Sequence, residues 1–206
     1  KDYLIEKGEY NPRTEKVFSP APANRLDRNT TGLVLFGKNS DALRTLNRYI
    51  REDRISKFYR TIVFGNLEKK LELHGRLEKD SGTNTVAIYD VNETEGRAIE
   101  TIVTPIQPLR NSTLVEVNLV TGRTHQIRAH LASIGHPVIG DSKYAKGPAK
   151  GFNHRLYESC HLSTQLLHSY RLEFRNCDGP LEYLNGRVFE APLPEQFEEI
   201  LEELSK

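Results

Sequence analysis

The chain has no methionine at any of its 206 positions, not even the first. A soluble chain of this size ordinarily carries some. The sequence is therefore expected to be part of a longer chain, opening in KDYLIEKGEY at the end of a helical segment. Cysteine is nearly as scarce. Cys160 and Cys177 stand far apart and outside any CxxC spacing, which excludes a disulfide framework and fits two reduced thiols in the cytoplasm. No run of 18 apolar residues occurs, so no transmembrane helix is expected. The opening also lacks the charged-then-apolar pattern of a signal peptide. Repeats, low-complexity tracts and internal linkers are missing too, so residues 1–206 read as one domain with enough chain to bury a sizeable core.

Net charge is also scarce, at +1, yet its distribution is uneven. Between 25 and 60 nine basic side chains face four acidic ones, whereas from 190 to 206 six glutamates face one lysine. The basic stretch is suited to meeting phosphates, although a solvated helix face fits equally well. Within it, Arg44, Arg48 and Arg51 form a stripe at helical spacing, a candidate phosphate track whose binding would weaken steeply with salt.

Periodicity predicts more strands than helices. LVLFG at 33–37 reads as a buried strand, and NSDALRTLNRYIRED as a helix capped by Ser40, with Ala42, Leu43, Leu46, Tyr49 and Ile50 inward. KFYRTIVFG alternates, with Phe58, Arg60, Ile62 and Phe64 on one face and Tyr59, Thr61 and Val63 on the other. The segment 67–97 reads as polar and turn-rich, with a short strand at VAIYDV and turns at DSGTN and NETEG. AIETIVTPI and TLVEVNLV alternate as strands. TGRTHQIRAHLASIGHP starts in a turn and becomes a helix capped by Thr124. A Gly/Pro-rich loop is expected through KGPAKGF, then a strand at YRLEF and a final helix at LPEQFEEILEEL. The sum is an α+β domain around a mixed, mostly antiparallel central sheet flanked by helices and loops.

Three places could carry chemistry. Asp27 lies between Arg25 and Arg28 in NRLDRNTTG, in a loop ahead of a strand. A guanidinium beside a carboxylate favours the anion, which could serve as nucleophile or general base. Alone, Asp27 fits a salt-bridged turn as well. In TGRTHQIRAH, Arg123, His125 and Arg128 gather at a helix start, a natural anion site. His125 and His130, five apart, do not share a helix face, and no HExxH occurs, so no metal site is expected. Tyr59, flanked by Lys57 and Arg60, is either a half-buried strand residue or an aromatic plate for a base.

Together, NRLDRNTTGLVLFGK, KFYRTIVFG and GRTHQIRAHLASIGHPVIGD resemble the three signature motifs of the RluA family of pseudouridine synthases, in the family's order. Weaker matches at GRAIETIVTPI, LLHSYRLEF and APLPEQF extend the likeness over nearly the whole chain. The resemblance implies the pseudouridine synthase fold with a catalytic cleft. It also implies conversion of specific uridines in RNA to pseudouridine without cofactor or metal, by a cytoplasmic monomer acting on 23S ribosomal RNA. A transfer-RNA enzyme and a non-catalytic RNA-binding paralogue are the alternatives. Asp27 then aligns with the essential aspartate, and Arg25 with the arginine that fills the gap left by the flipped uridine. Tyr59 aligns with the tyrosine that packs on the uracil, and Arg128 with the arginine that pairs with the carboxylate. Arg28, Lys57, Arg123 and His125 are expected to contact RNA. A hydrolase built on Asp27 would want a second carboxylate, and the motifs are expected to offer none.

Two departures stand out. Asn24 occupies a position where many members of the family have histidine, which points to a shift in substrate preference. The strand that precedes these motifs in the family, and the S4 RNA-binding domain many members carry, lie outside this sequence. Residues 1–206 are therefore expected to be the catalytic domain without its N-terminal strand.

Overall fold

The structure, a computed structural model, describes residues 2–14, 17–80, 82 and 85–206. The elements in chain order begin with α1 (Asp2–Glu6), β1 (Ala21–Pro22), β2 (Thr31–Gly32), β3 (Phe36–Gly37), α2 (Ser40–Arg51), β4 (Ile55–Phe64) and β5 (Leu71–Asp80). They continue with β6 (Thr85–Tyr89), β7 (Arg97–Leu109), β8 (Ser112–Leu119), α3 (Gln126–Ser133), α4 (Pro148–Cys160) and β9 (Leu167–Phe174). A 3-10 helix (Gly179–Leu184), β10 (Val188–Glu190) and α5 (Glu195–Ser205) complete the chain. This is an α+β fold with a mostly antiparallel sheet, as expected. The chain divides into two compact units, and β4 and β9 contribute residues to both.

The larger unit comprises residues 27–32, 57–171 and 191–206. Its sheet runs in the order β9, β4, β8, β7, β5, β6. The β4–β8, β8–β7, β7–β5 and β5–β6 pairs are antiparallel, while the short β2 lies parallel to β9. Alternation along the strands decides what each face buries. Ile62, opposite Leu114, joins Ile139, Phe152, Leu156, Phe197, Ile200 and Leu204, so that α4 and α5 share a core with these strands. Leu77, Val86 and Ile99 pack with Ala129 of α3. Tyr59 has the opposite parity to Ile62 and stands across from Val117, which in turn faces Val103.

The smaller unit comprises residues 1–26, 33–56 and 172–190. Leu46 and Tyr49 of α2 pack against Ile55, Leu172, Phe174, Cys177 and Leu181. The buried Tyr49 hydroxyl donates to the Asp178 carbonyl at 2.5 Å and accepts the Asp178 N–H at 2.8 Å. The Asp178 carboxylate takes Arg48 and, at 2.9 Å, Arg54. The predicted basic stripe is thus largely paired within its own unit: Arg48 holds Asp178, and Arg44 holds Asp41.

Several expectations change. LVLF is not a buried strand: Leu33 and Leu35 pack inward while Val34 and Phe36 are exposed, and only Phe36–Gly37 pairs, with β1. The backbone there is held instead by Asn24, whose Oδ1 accepts the Leu35 N–H at 2.8 Å. Helix α2 is capped by Asn39, not Ser40, through a 2.8 Å bond from the Ala42 N–H. The N-cap position of helix α3 is held by His125, in the left-handed region and without a side-chain cap bond, not by Thr124. The polar segment 67–97 contains the ten-residue β5, and the expected KGPAKGF loop starts the thirteen-residue α4. The turn at DSGTN falls on residues largely outside those described.

Candidate active site

Every contact in the site described below lies in the larger unit. Asp27 begins a tight turn in which its carbonyl accepts the Thr30 N–H at 3.0 Å, with Asn29 left-handed at φ 68°. The turn is anchored to β9. Thr31 and Gly32 pair with His168 and Ser169, and Thr31 Oγ1 meets His168 Nδ1 at 2.8 Å. Gln165 Nε2 donates to the Arg28 carbonyl at 2.5 Å. Gly32 has φ 106°, and a Cβ there would lie 2.1 Å from the Ser169 carbonyl oxygen. Only glycine permits that approach, so residue choice at 32 fixes how the Asp27 turn meets the sheet.

Arg128 projects from α3, which is set by the turn before it. The buried Gln126 side chain accepts from Thr121 Oγ1 at 3.0 Å and from the Arg123 N–H at 3.1 Å. Its amide donates to the Glu100 carbonyl and to Thr101 Oγ1, each at 3.0 Å. Four hydrogen bonds thus lock the turn to β7. Arg128 is 5% exposed. Its Nε and Nη2 donate to Asp141 at 2.6 and 3.0 Å, and its Nη1 lies 3.5 Å from Asp27 Oδ2. The first pair is a bidentate charged hydrogen bond; the second is a longer electrostatic contact. Burial disfavours the guanidinium charge, but the bonds and charge of Asp141, together with the charge of Asp27, raise its pKa above the ordinary arginine value.

Asp141 is 0% exposed and fully engaged, since its Oδ1 also accepts the N–H groups of Lys143 and Tyr144 at 2.9 and 3.2 Å. Gly140 before it has φ 74°, and a Cβ there would lie 2.2 Å from the Thr164 carbonyl oxygen. The expectation that the motifs offer no second carboxylate is therefore corrected: the third motif ends in one. Its burial and its four donors make it an anchor for Arg128, not a second acid. Asp27, with its side chain 20% exposed, is the carboxylate of the pair that a ligand can reach.

Tyr59 is 6% exposed, more buried than its place beside charged neighbours predicts. Burial pushes its hydroxyl up to about 12; a hydrogen bond with Ser169 opposes this and the Asp27 charge adds to it. It is a neutral phenol that can donate or pack. Lys57 has the same parity on β4. His125 Nδ1 meets Tyr144 Oη at 2.9 Å, and the Arg128 guanidinium lies 5.3 Å from the centre of the Tyr144 ring. Arg28 and Arg123 are exposed, and Arg25, also exposed, belongs to the smaller unit. Asp141, Tyr144 and Gln126 were missed from sequence. Asp141 could have been found at the end of the third motif, where the Gly-Asp pair signals a turn.

Together, the turn, strand and helix make a preorganised carboxylate site on an α+β sheet. The profile of the RNA pseudouridylate synthase family matches residues 1–133. The chain is 32% identical over 184 residues to the ribosomal large subunit pseudouridine synthase D of Zymomonas mobilis, covering 88% of this chain and 55% of that protein. It is 33% identical to the synthase C of Haemophilus influenzae, covering 88% and 54%. It is 34% identical to the dual-specificity RNA pseudouridine synthase RluA of Pasteurella multocida, covering 79% and 70%. The chain belongs to the RNA pseudouridylate synthase family, in its RluA group. It spans little more than half the length of the first two relatives. The fold is shared with the human RNA pseudouridylate synthase domain containing 4 protein at TM-score 0.71 and 21% identity, covering 92% of this chain and 77% of that one. No helix among the described residues is long and apolar enough to cross a membrane.

Proposed function

We propose that the protein isomerises specific uridines in RNA to pseudouridine, with ribosomal RNA as substrate and Asp27 as the essential carboxylate. Family membership supports the reaction, and the names of the synthase C and D relatives support the RNA class. The observation that carries the site is the pairing of a reachable Asp27 with an Arg128 that is itself held by the buried Asp141. The reaction breaks the bond between N1 of uracil and C1′ of ribose, turns the base, and joins C5 to C1′. C5 loses a proton and N1 gains one, so no oxidant or reductant is consumed.

A stacked base is out of reach, so it must leave the helix at a cost of a few kcal/mol. Arg25 offsets part of that by placing a planar cation in the gap. Arg28, Lys57, Arg123 and His125 contact the RNA, which the protein binds as a monomer in the cytoplasm. Asp27 acts as an anion whether it attacks the sugar, attacks the base or removes a sugar proton. Arg128 holds the carboxylate by charge without occupying it as Asp141 is occupied. Tyr59, a phenol that burial keeps protonated, packs against the uracil and donates a proton or hydrogen bond.

The test uses RNA tritiated at uridine C5. The isomerase releases tritium to solvent, a binding paralogue releases none, and a glycosidase frees uracil. Asp27→Asn should abolish release while RNA affinity stays within a few fold. Residual turnover within about tenfold of wild type, small against the 10²- to 10⁴-fold typical of such groups, would overturn the role of Asp27.

A further inference from the structure

His125 is a helix N-cap that does no capping. It occupies the left-handed region at φ 55° and makes no side-chain cap bond. For a residue other than glycine this conformation is strained. What the strain accompanies is a hydrogen bond between its Nδ1 and Tyr144 Oη at 2.9 Å, with the two rings edge to face at 83°. The Tyr144 oxygen already accepts the Val86 N–H at 3.0 Å. Its own O–H can then donate to His125, which makes the imidazole nitrogen facing it the acceptor and puts the proton on the opposite nitrogen, Nε2.

We propose that Tyr144 is a positioning residue that fixes His125 as the neutral Nε2–H tautomer and supports the Arg128 guanidinium, giving the Asp27 site an uncharged donor for a carbonyl of the flipped base. The proposal rests on the isomerase reading for its substrate only. The geometry is all in one unit, with the Tyr144 ring 5.3 Å from the guanidinium that contacts Asp27 and Asp141. The charged groups that act on His125 come from the Asp27 turn, from α3 and from the loop that follows α3. Burial lowers its pKa; Asp27 and Asp141 push it up, and Arg128 and Lys143 push it down. The Tyr144 hydroxyl is raised, by burial first, so it remains a donor. An uncharged histidine suits this place. A cation would compete with Arg128 for Asp27, whereas a neutral N–H can bind a base carbonyl and leave that pairing intact.

The decisive measurement is the ¹⁵N NMR of the imidazoles in the free protein at pH 7.5, with His125 assigned by its loss in His125→Gln. Nδ1 of pyridine type and Nε2 bearing hydrogen are expected, converting to a tautomer mixture in Tyr144→Phe. In turnover, Tyr144→Phe should lower kcat about 10- to 100-fold with KM little changed, the size seen where a partner fixes an imidazole in metal sites. The acid limb of the kcat profile should move to higher pH as His125 protonates more readily. Hydrogen on Nδ1, a cationic His125 in the wild type, or unchanged kcat in a folded Tyr144→Phe would each overturn the proposal. The wild-type spectrum needs no variant to fold and no substrate. Absent tritium release from the wild type would therefore strike the isomerase reading, while the spectrum still decides the tautomer.

Discussion

Asp27 and Asp141 meet the same guanidinium, and their difference in burial divides their work. Asp141 gives up all its solvent and receives four hydrogen bonds in return. Removing one partner of such a buried pair leaves the other charge uncompensated and typically costs about 3–5 kcal/mol. Asp27 keeps part of its solvent and has a single longer contact to Arg128, so its loss costs about 1 kcal/mol or less. Urea titration should therefore rank Asp141→Ala far below wild type in stability and Asp27→Ala near it, while both lose turnover. Equal stability losses would mean that Asp141 anchors the fold no more than Asp27 does. At this scale the sequence reading named Asp27 and Arg128, which the fold brings together, but not their support. Asp27 and Arg128 sit in long, specific motifs. Asp141 lies thirteen residues from Arg128, and only the fold of the intervening loop joins them.

At the scale of elements, what holds the Asp27 turn is backbone fit. Gly32 combines φ 106° with a carbonyl 2.1 Å from where its Cβ would be. Gly32→Ala cannot relax by moving a side chain, so the β2–β9 pairing must part. A stability loss of a few kcal/mol is expected, together with loss of turnover, and hydrogen exchange should quicken at Ser169 and the residues beside it. A variant as stable and active as wild type would show that the turn does not need this seat. Legibility follows the same physics. Strands β4, β7 and β8 were readable because their alternation separates buried from exposed positions. Strand β5 also alternates, with Leu71, Leu73 and Leu77 on one parity, but its charged residues and Gly75 made it read as turn. Helix α4 was hidden by Gly147, Pro148 and Gly151, though Pro148 stands at the first turn, where proline is welcome. LVLF misled in the other direction: four apolar letters suggest a strand, yet two face solvent and the ladder is two residues long.

Over the whole molecule, pH acts on stability through histidines buried as neutral groups. Burial pushes His130 down to about 4, and His125 and His168 are also lowered, again by burial first. Each has a folded-state pKa below the ordinary histidine value of about 6.5. Between the two values the unfolded chain binds more protons, so acid favours unfolding there. The stability from His130 is fully present above about pH 6.5 and is lost as pH falls toward 4, amounting to about 3 kcal/mol. Asp178, brought down to about 2 by hydrogen bonds from Arg48 and Arg54, titrates below this window. The urea midpoint should thus drop between pH 7 and 4.5, before the Asp178 pair is protonated. His130→Gln separates the histidine contribution from general acid effects. Glutamine can still hydrogen-bond Thr101 Oγ1, which His130 Nδ1 meets at 3.0 Å, but cannot take a proton. The variant should start less stable at pH 7 through poorer packing and lose less on acidification, so that the two curves converge near pH 4.5. Parallel curves would mean that His130 is not the group that acid attacks.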